Sequence, residues 1–398
     1  MKRLVVCCDG TWQDLGRTFP TNVAKIASAI KPISNGTPQC IYYSAGVGTK
    51  GLWDKIFGGG MGAGIDFHIK DAYRFLCLNY QPDDEIYLFG FSRGSYTVRS
   101  LVGLIYNSGL LLPQHLDKID TQGALIGAYQ LYRNRHEAYK PGSIIAKRFR
   151  QDFCVTVDSC TGNDQGRVPI TLLACWETGG ALGIPAMGWL NPKKFFSQRL
   201  IEKFPGKHRF YDTRLSRIVE NAVHAVAIDE KRVVLKVTKM EKDLSKMDEN
   251  GEVKTVTGAN QNVSQVWFPG IHECIGGGFE HLQGLSDAAL VWMMNQVDAL
   301  KLGLKFDTAR MTNCPYPWSF DYKISFSKKW DWLRIPGIKW RTMDRDAQFN
   351  HDIHETAKLR WRDLKDYRPE TLSWHFTKQL NLWAQENPLN ETSELSAR

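Results

Sequence analysis

The pentapeptide Gly90-Phe91-Ser92-Arg93-Gly94 constrains this chain more than any other feature. Before it runs Glu85-Ile86-Tyr87-Leu88-Phe89, an apolar stretch that reads as a buried strand. After it, Val98, Leu101, Val102 and Ile105 recur at helical spacing. A strand, a sharp Gly-flanked turn carrying a serine, and then a helix define a nucleophile elbow. The turn leaves little room for a Cβ, which accounts for the glycines. It lifts the Ser92 hydroxyl above the sheet edge and points the Arg93 N–H at the oxyanion of an acyl-transfer intermediate. Elsewhere the same five residues would be an ordinary strand-to-helix turn. The flanking pattern favours the catalytic reading.

The chain has 398 residues, room for one large α/β domain with insertions or for two domains. It contains no apolar run long enough to span a bilayer. The opening Met1-Lys2-Arg3-Leu4-Val5-Val6-Cys7-Cys8-Asp9 has too short an apolar stretch for a secretory signal and reads as the first strand. Cytoplasmic synthesis is the expectation, and export by a signal-independent route is compatible with it. Nine scattered cysteines with no C-x-x-C pair argue against both a disulfide framework and a zinc module. The net charge of +9 suits an acidic partner such as an anionic membrane surface. No nucleic-acid module accompanies that charge, so nucleic acid is not expected as a partner. Oligomeric state is not legible.

Strands and helices alternate. Leu4–Cys8 and Cys40–Ser44 read as strands, and Asn22–Ile30 as a helix capped by Thr21 or Asn22. A Gly-rich loop from Gly46 to Gly64 precedes an amphipathic helix marked by Ile65, Ile69, Ala72 and Leu76. Ile170–Cys175 is a core strand, Asn221–Ile228 reads as a helix, Gln265–Phe268 is a last short strand, and a helix spans about 286–300. The pattern predicts an α/β fold, α/β-hydrolase-like, with a mainly parallel sheet covered by helices on both faces. The expected catalytic domain is 1–305, with insertions at about 113–168, 179–206 and 239–262. Residues 306–398 form an aromatic and basic C-terminal region packed on it or extending it.

A serine nucleophile needs a base and an acid to orient that base. In α/β-hydrolases the acid and the histidine follow in that order, in loops after later strands. Glu177 lies just after the strand ending at Cys175, and His272 just after the strand ending at Phe268. Ser92, Glu177 and His272 therefore satisfy both order and placement. Asp229 and Asp287 are alternative acids. The loop Asp9-Gly10-Thr11-Trp12 after the first strand is the candidate for the second oxyanion donor, through the Gly10 or Thr11 N–H. Asp9 would orient that loop or simply close a turn.

Several motifs in order carry a family resemblance. They are Cys8-Asp9-Gly10-Thr11-Trp12, Thr21-Asn22-Val23, Gly46-Val47-Gly48-Thr49, the serine pentapeptide, and Val266-Trp267-Phe268-Pro269-Gly270-Ile271-His272. Gly276-Gly277-Gly278 and Leu285-Ser286-Asp287-Ala288-Ala289-Leu290 complete the set. Over roughly residues 1–300 the chain resembles the DUF2235 family, which includes the catalytic domain of bacterial type VI secretion phospholipase effectors of the Tle1 class. The resemblance implies a Ser-Asp-His triad acting on phospholipid esters, with the nucleophile on Ser92 and the base on His272. The family acid lies in a Trp-Asp-Thr segment, matched here by Trp176-Glu177-Thr178 with Glu for Asp. The family's Ser-Asp after the histidine is replaced by Glu273-Cys274, so any support that Asp gives the histidine loop would be lost.

Other signals weigh less. The Gly-rich run lacks a P-loop lysine. His68 with Asp71, or His351, Asp352, His354 and Glu355, have poor metal-ligand spacing, and neither a metal nor a cofactor is called for. Between Asp321 and Arg341, Trp330, Trp332 and Trp340 interleave with Lys323, Lys328, Lys329, Arg334, Lys339 and Arg341. The tryptophans either sit at a headgroup interface, with the cations on lipid phosphates, or pack the C-terminal region onto the core. The resulting expectation is a serine ester hydrolase, phospholipase or lipase-like. An esterase or thioesterase on a soluble substrate, or a non-catalytic protein on a hydrolase scaffold, are the alternatives. Effector toxin and housekeeping enzyme are equally compatible with the sequence.

Overall fold

The computed structural model describes residues 1–10, 13, 15–46, 60–116, 124–157, 166–179, 214–232, 235–241, 261–311, 320–325, 341, 343, 351–372 and 374–388. Eight strands form one sheet: β1 (Arg3–Cys8), β2 (Ile33–Ser34), β3 (Thr37–Ser44), β4 (Glu85–Phe91), β5 (Ile170–Trp176), β6 (Val219–Ala227), β7 (Asn262–Phe268) and β8 (His351–Ile353). Their order is β2-β3-β1-β4-β5-β6-β7-β8. Every pairing is parallel except the β2–β3 hairpin. The described helices of four residues or more are α1 (Asn22–Ala29), α2 (Gly60–Asn79), α3 (Arg93–Ser108), α4 (Pro113–Leu116), α5 (Ala124–Arg133), α6 (Ile144–Phe153), α7 (His272–Gly276), α8 (Gln283–Ala299), α9 (Glu355–Asp363) and α10 (Trp374–Glu386).

A parallel strand covered on both faces has no polar side, so β1 and β4 read as unbroken apolar runs. Alternate residues still part to opposite faces. Leu4, Val6, Cys8, Ile86 and Leu88 join the core under α2, α3 and α5. Val5, Cys7, Tyr87, Phe89 and Phe91 join the core under α1 and α8. A third cluster joins Val226, Ile228 and Trp267 to Ile353, Ala357, Trp361, Tyr367 and Phe376. The C-terminal region therefore extends the sheet by β8 and covers its end with α9 and α10. The cap of α1 is Thr21, whose hydroxyl accepts the Ala24 N–H.

Two sequence expectations change. Asn221–Ile228 falls on β6, a strand, not a helix. A fully buried apolar run carries no periodicity that separates strand from helix. Its place between β5 and β7 overrides the helix propensity of its alanines. β7 is also not the last strand, because β8 pairs beside it. Three residues are too few to announce a strand.

Helix α3 approaches the sheet closely. A Cβ built on Gly94 would lie 1.9 Å from the Cys8 carbonyl oxygen, and one on Gly90 would lie 2.6 Å from the Ser95 nitrogen. Both obstacles are backbone, which cannot swing aside. Gly94→Ala is therefore expected to cost about 3 kcal/mol or more of stability, read as a lower urea midpoint with unchanged slope. A midpoint within error of wild type would contradict this packing.

Candidate functional site

The carboxyl ends of β4, β5 and β7 bring three sequence-predicted residues together. Ser92 follows β4 and caps α3 with φ 56° and ψ −116°. A non-glycine residue there costs of order 1–3 kcal/mol, and it persists because its surroundings fix it. The Ser92 N–H donates to the Trp176 carbonyl at 3.0 Å. The Ser95 hydroxyl donates toward the Gly90 and Trp176 carbonyls at 2.7 and 2.9 Å, tying the turn to β5. Glu177 follows β5, also at positive φ (50°). His272 begins α7, four residues past the end of β7.

These three side chains form one hydrogen-bonded line. His272 Nε2 lies 2.8 Å from Ser92 Oγ, and His272 Nδ1 lies 3.0 Å from Glu177 Oε2. A carboxylate only accepts, so Nδ1 carries the proton and Nε2 is left to accept from the serine hydroxyl. Ser92 and His272 are 9% and 6% exposed, whereas Glu177 is fully enclosed. Phe91 lies against the imidazole, with ring centroids 4.9 Å apart. Gly276 lets Phe91 take that place, since a Cβ there would lie 2.0 Å from its ring. Gly179 lies beside the pair, where a Cβ would lie 3.5 Å from His272 Cε1 and 3.8 Å from Ser92 Oγ.

Glu177 also accepts the Ala227 N–H at 2.6 Å, and both Nη atoms of Arg341, each at 2.8 Å. Burial alone would raise its pKa. The charge of Arg341 and the hydrogen bonds from His272 and Arg341 outweigh burial and hold the carboxyl well below the usual carboxylate range. The sequence reading sets Arg341 among cations that meet lipid phosphates. The structure buries it on Glu177 instead. The tryptophans of that segment lie outside the described residues.

The histidine is held from its other side as well. Its N–H donates to Glu230 Oε2 at 3.1 Å. Arg232 bridges Glu230 and Glu273 with bonds of 2.6–2.9 Å. Glu273, one of the two departures from the family pattern, therefore braces the histidine loop through Arg232. Burial pushes the Cys274 thiol well up, so it is an inert packing group. Behind Glu177, His224 is fully buried. Its Nε2 accepts the Thr178 N–H at 3.2 Å, and its Nδ1 is 2.9 Å from Gln265 Oε1. Burial lowers its pKa to about 3, so it stays neutral.

The remaining candidates fall elsewhere. Arg93 opens α3, in the first turn where backbone N–H groups point out of the helix end. Burial lowers its guanidinium to about 10. The Gly10 N–H, expected to face an oxyanion, donates instead to Asp9 Oδ1 at 2.6 Å, a local turn bond. Asp9 Oδ2 accepts the hydroxyls of Thr21 and Tyr43, each at 2.7 Å, which pins the loop to α1 and β3. Thr11 lies outside the described residues. Asp287 is bonded to Lys25 Nζ at 2.6 Å, both side chains being buried. Asp229 accepts the Gly270 N–H and the Tyr367 hydroxyl at 2.6 and 2.9 Å. His354 caps α9 and stacks on Phe268. Among the described residues no three His, Cys, Asp or Glu side chains are placed to hold a metal. Among the same residues no helix is long and apolar enough to cross a membrane.

A mostly parallel sheet sheathed by helices, with a serine on a strained strand-to-helix turn, is an α/β-hydrolase-like fold. The profile of the family described as "T6SS, Phospholipase effector Tle1-like, catalytic domain" matches residues 2–296, and the chain belongs to that family. Uncharacterized protein YEL023C of Saccharomyces cerevisiae is 27% identical over 254 residues, which are 58% of this chain and 31% of the yeast protein. The chain thus spans about a third of the length of that relative. A Tle1 effector bound to the VgrG spike of the type 6 secretion system aligns at 14% identity and TM-score 0.33, over 70% of this chain and 51% of its own. An uncharacterized protein from Pseudomonas aeruginosa aligns at 14% identity and TM-score 0.39, over 99% and 61%.

Asp229 offers a test of how the histidine loop is held. Burial raises its pKa to about 6, against the lowering effect of the Gly270 N–H and Tyr367 hydroxyl. The folded state then binds the proton more tightly than the unfolded chain. Stability falls as pH rises from about 4 through about 6, by up to about 3 kcal/mol for a shift of roughly two units. Asp229→Asn can still accept both bonds through Oδ1. Its melting temperature should match wild type near pH 4.5 and exceed it at pH 8. Parallel melting curves across that range would contradict the assignment.

Proposed function

We propose that this protein is a serine hydrolase that cleaves carboxylic esters through an acyl-enzyme, with phospholipids as the substrate class. One observation carries the reading: the unbroken line from Ser92 Oγ through His272 to Glu177 at the mouth of a strained elbow. Membership of a phospholipase effector family supports the choice of lipid ester. The net charge of +9 suits contact with an anionic membrane surface.

In this mechanism His272 Nε2 takes the Ser92 proton as Oγ attacks the ester carbonyl. Glu177 keeps Nδ1–H oriented and stabilises the imidazolium that forms. The tetrahedral oxyanion lies at the N-terminus of α3, where the Arg93 N–H donates to it. Thr11 is the sequence-based candidate for the second donor. His272 then gives its proton to the leaving alcohol, and the acyl-enzyme remains on Ser92. Water, deprotonated by His272, attacks that ester and releases the acid. We assign the catalytic domain to 1–305 and regard 306–398 as its structural extension through β8, α9 and α10.

Fluorophosphonate labelling with intact-mass readout tests the reading. Wild type should gain one phosphonyl group. Ser92→Ala and His272→Ala should gain none, and Glu177→Ala should label roughly a hundred- to ten-thousand-fold more slowly. A folded wild type that stays unlabelled would sink the enzyme reading and leave a binding protein on a hydrolase scaffold. Activity on phosphatidylglycerol vesicles that fails to exceed activity on a dispersed short-chain ester would move the substrate to soluble esters.

A further inference from the structure

The acid of the proposed triad is not held by the catalytic domain alone. Arg341 comes from 164 residues further along the chain and lies outside the family-matched residues 2–296. Its guanidinium meets Glu177 fork to fork, Nη1 on Oε1 and Nη2 on Oε2, each at 2.8 Å. The same two nitrogens donate to the carbonyls of Ala227 at 2.9 Å and Leu235 at 2.7 Å. Arg341 is therefore itself fixed, by the end of β6 and by the segment after it. The pair is almost wholly enclosed, with side chains 7% and 0% exposed.

Building on the proposed serine-hydrolase reading, we infer that Arg341 is a positioning residue of the reaction, fixing the plane of the Glu177 carboxylate against His272 Nδ1. Glutamate has one more rotatable bond than the aspartate of the family motif, so its carboxylate has more orientations to lose. A planar bidentate partner removes that freedom, and a lysine, as a point charge, does not. The other charged or titratable groups on this side are Glu230 and Arg232 after β6, Glu273 on α7, and neutral His224 on β6. Glu230 and Glu273 are already paired with Arg232 and remain so when Arg341 is replaced.

The test is p-nitrophenyl butyrate hydrolysis by Arg341→Gln and Arg341→Lys, each also made in the Glu177→Ala background. Arg341→Gln should lose roughly tenfold in kcat with little change in KM. Arg341→Lys should lose several-fold in kcat. With Glu177 already alanine, neither substitution should cost anything more. A folded Arg341→Gln with wild-type kcat would overturn the inference, as would equal losses with and without Glu177. Should Arg341→Gln not fold, a wild-type kcat in Arg341→Lys overturns it. Ser92 labelling of wild type separates the two readings. Labelled wild type with unaffected Arg341 variants refutes only the role of Arg341, whereas unlabelled wild type refutes both.

Discussion

Helix α3 reaches the carboxyl ends of β1 and β4 because Gly94 has no side chain. The Cys8 carbonyl occupies the space a Cβ would need. That contact forces the strand-to-helix turn to be sharp, and the sharp turn holds Ser92 at positive φ with its hydroxyl facing the loops after β5 and β7. A looser turn would let the serine relax toward an ordinary helix cap, and its distances to His272 would no longer be defined. The strain at Ser92 is held by Ser95, which ties both Gly90 and Trp176 to the helix.

From that turn outward the site is a chain of paired polar and charged groups. Arg341 meets Glu177, Glu177 meets His272, and His272 is held from behind by Glu230, which Arg232 shares with Glu273. An isolated buried carboxylate would be neutralised by its surroundings. This one stays ionised because a guanidinium and a backbone N–H share the cost of enclosing it. Neutral His224 behind it, fixed by Thr178 and Gln265, adds no competing charge. The C-terminal region is thus tied to the site by charge as well as by the packing of α9 and α10.

Much of this arrangement is legible in the sequence, for a physical reason. Parallel strands end on one edge, so residues just past each strand converge there. Ser92, Glu177 and His272 each follow an apolar run, and that placement alone selects them. Arg341 is not legible the same way, because no periodicity in its segment of aromatics and cations announces that this one residue is buried. The strand at Asn221–Ile228 escapes because a doubly buried run of alanine and valine has no polar face to set its period. The Gly10 N–H is misread because a neighbouring aspartate competes for it locally, a contact no spacing rule encodes. Glu273-Cys274 reads in the sequence as a lost Ser-Asp support, and only the fold reveals Arg232 as the partner of Glu273.

A crystal structure of the protein after reaction with an alkyl fluorophosphonate tests the central claim most directly. The account predicts phosphorus bonded to Ser92 Oγ and the phosphonyl oxygen accepting the Arg93 N–H. His272 Nδ1 should remain on Glu177, and Glu177 on Arg341. An adduct on another residue, or a Glu177 carboxylate turned away from His272 while Ser92 carries the phosphonate, would contradict it.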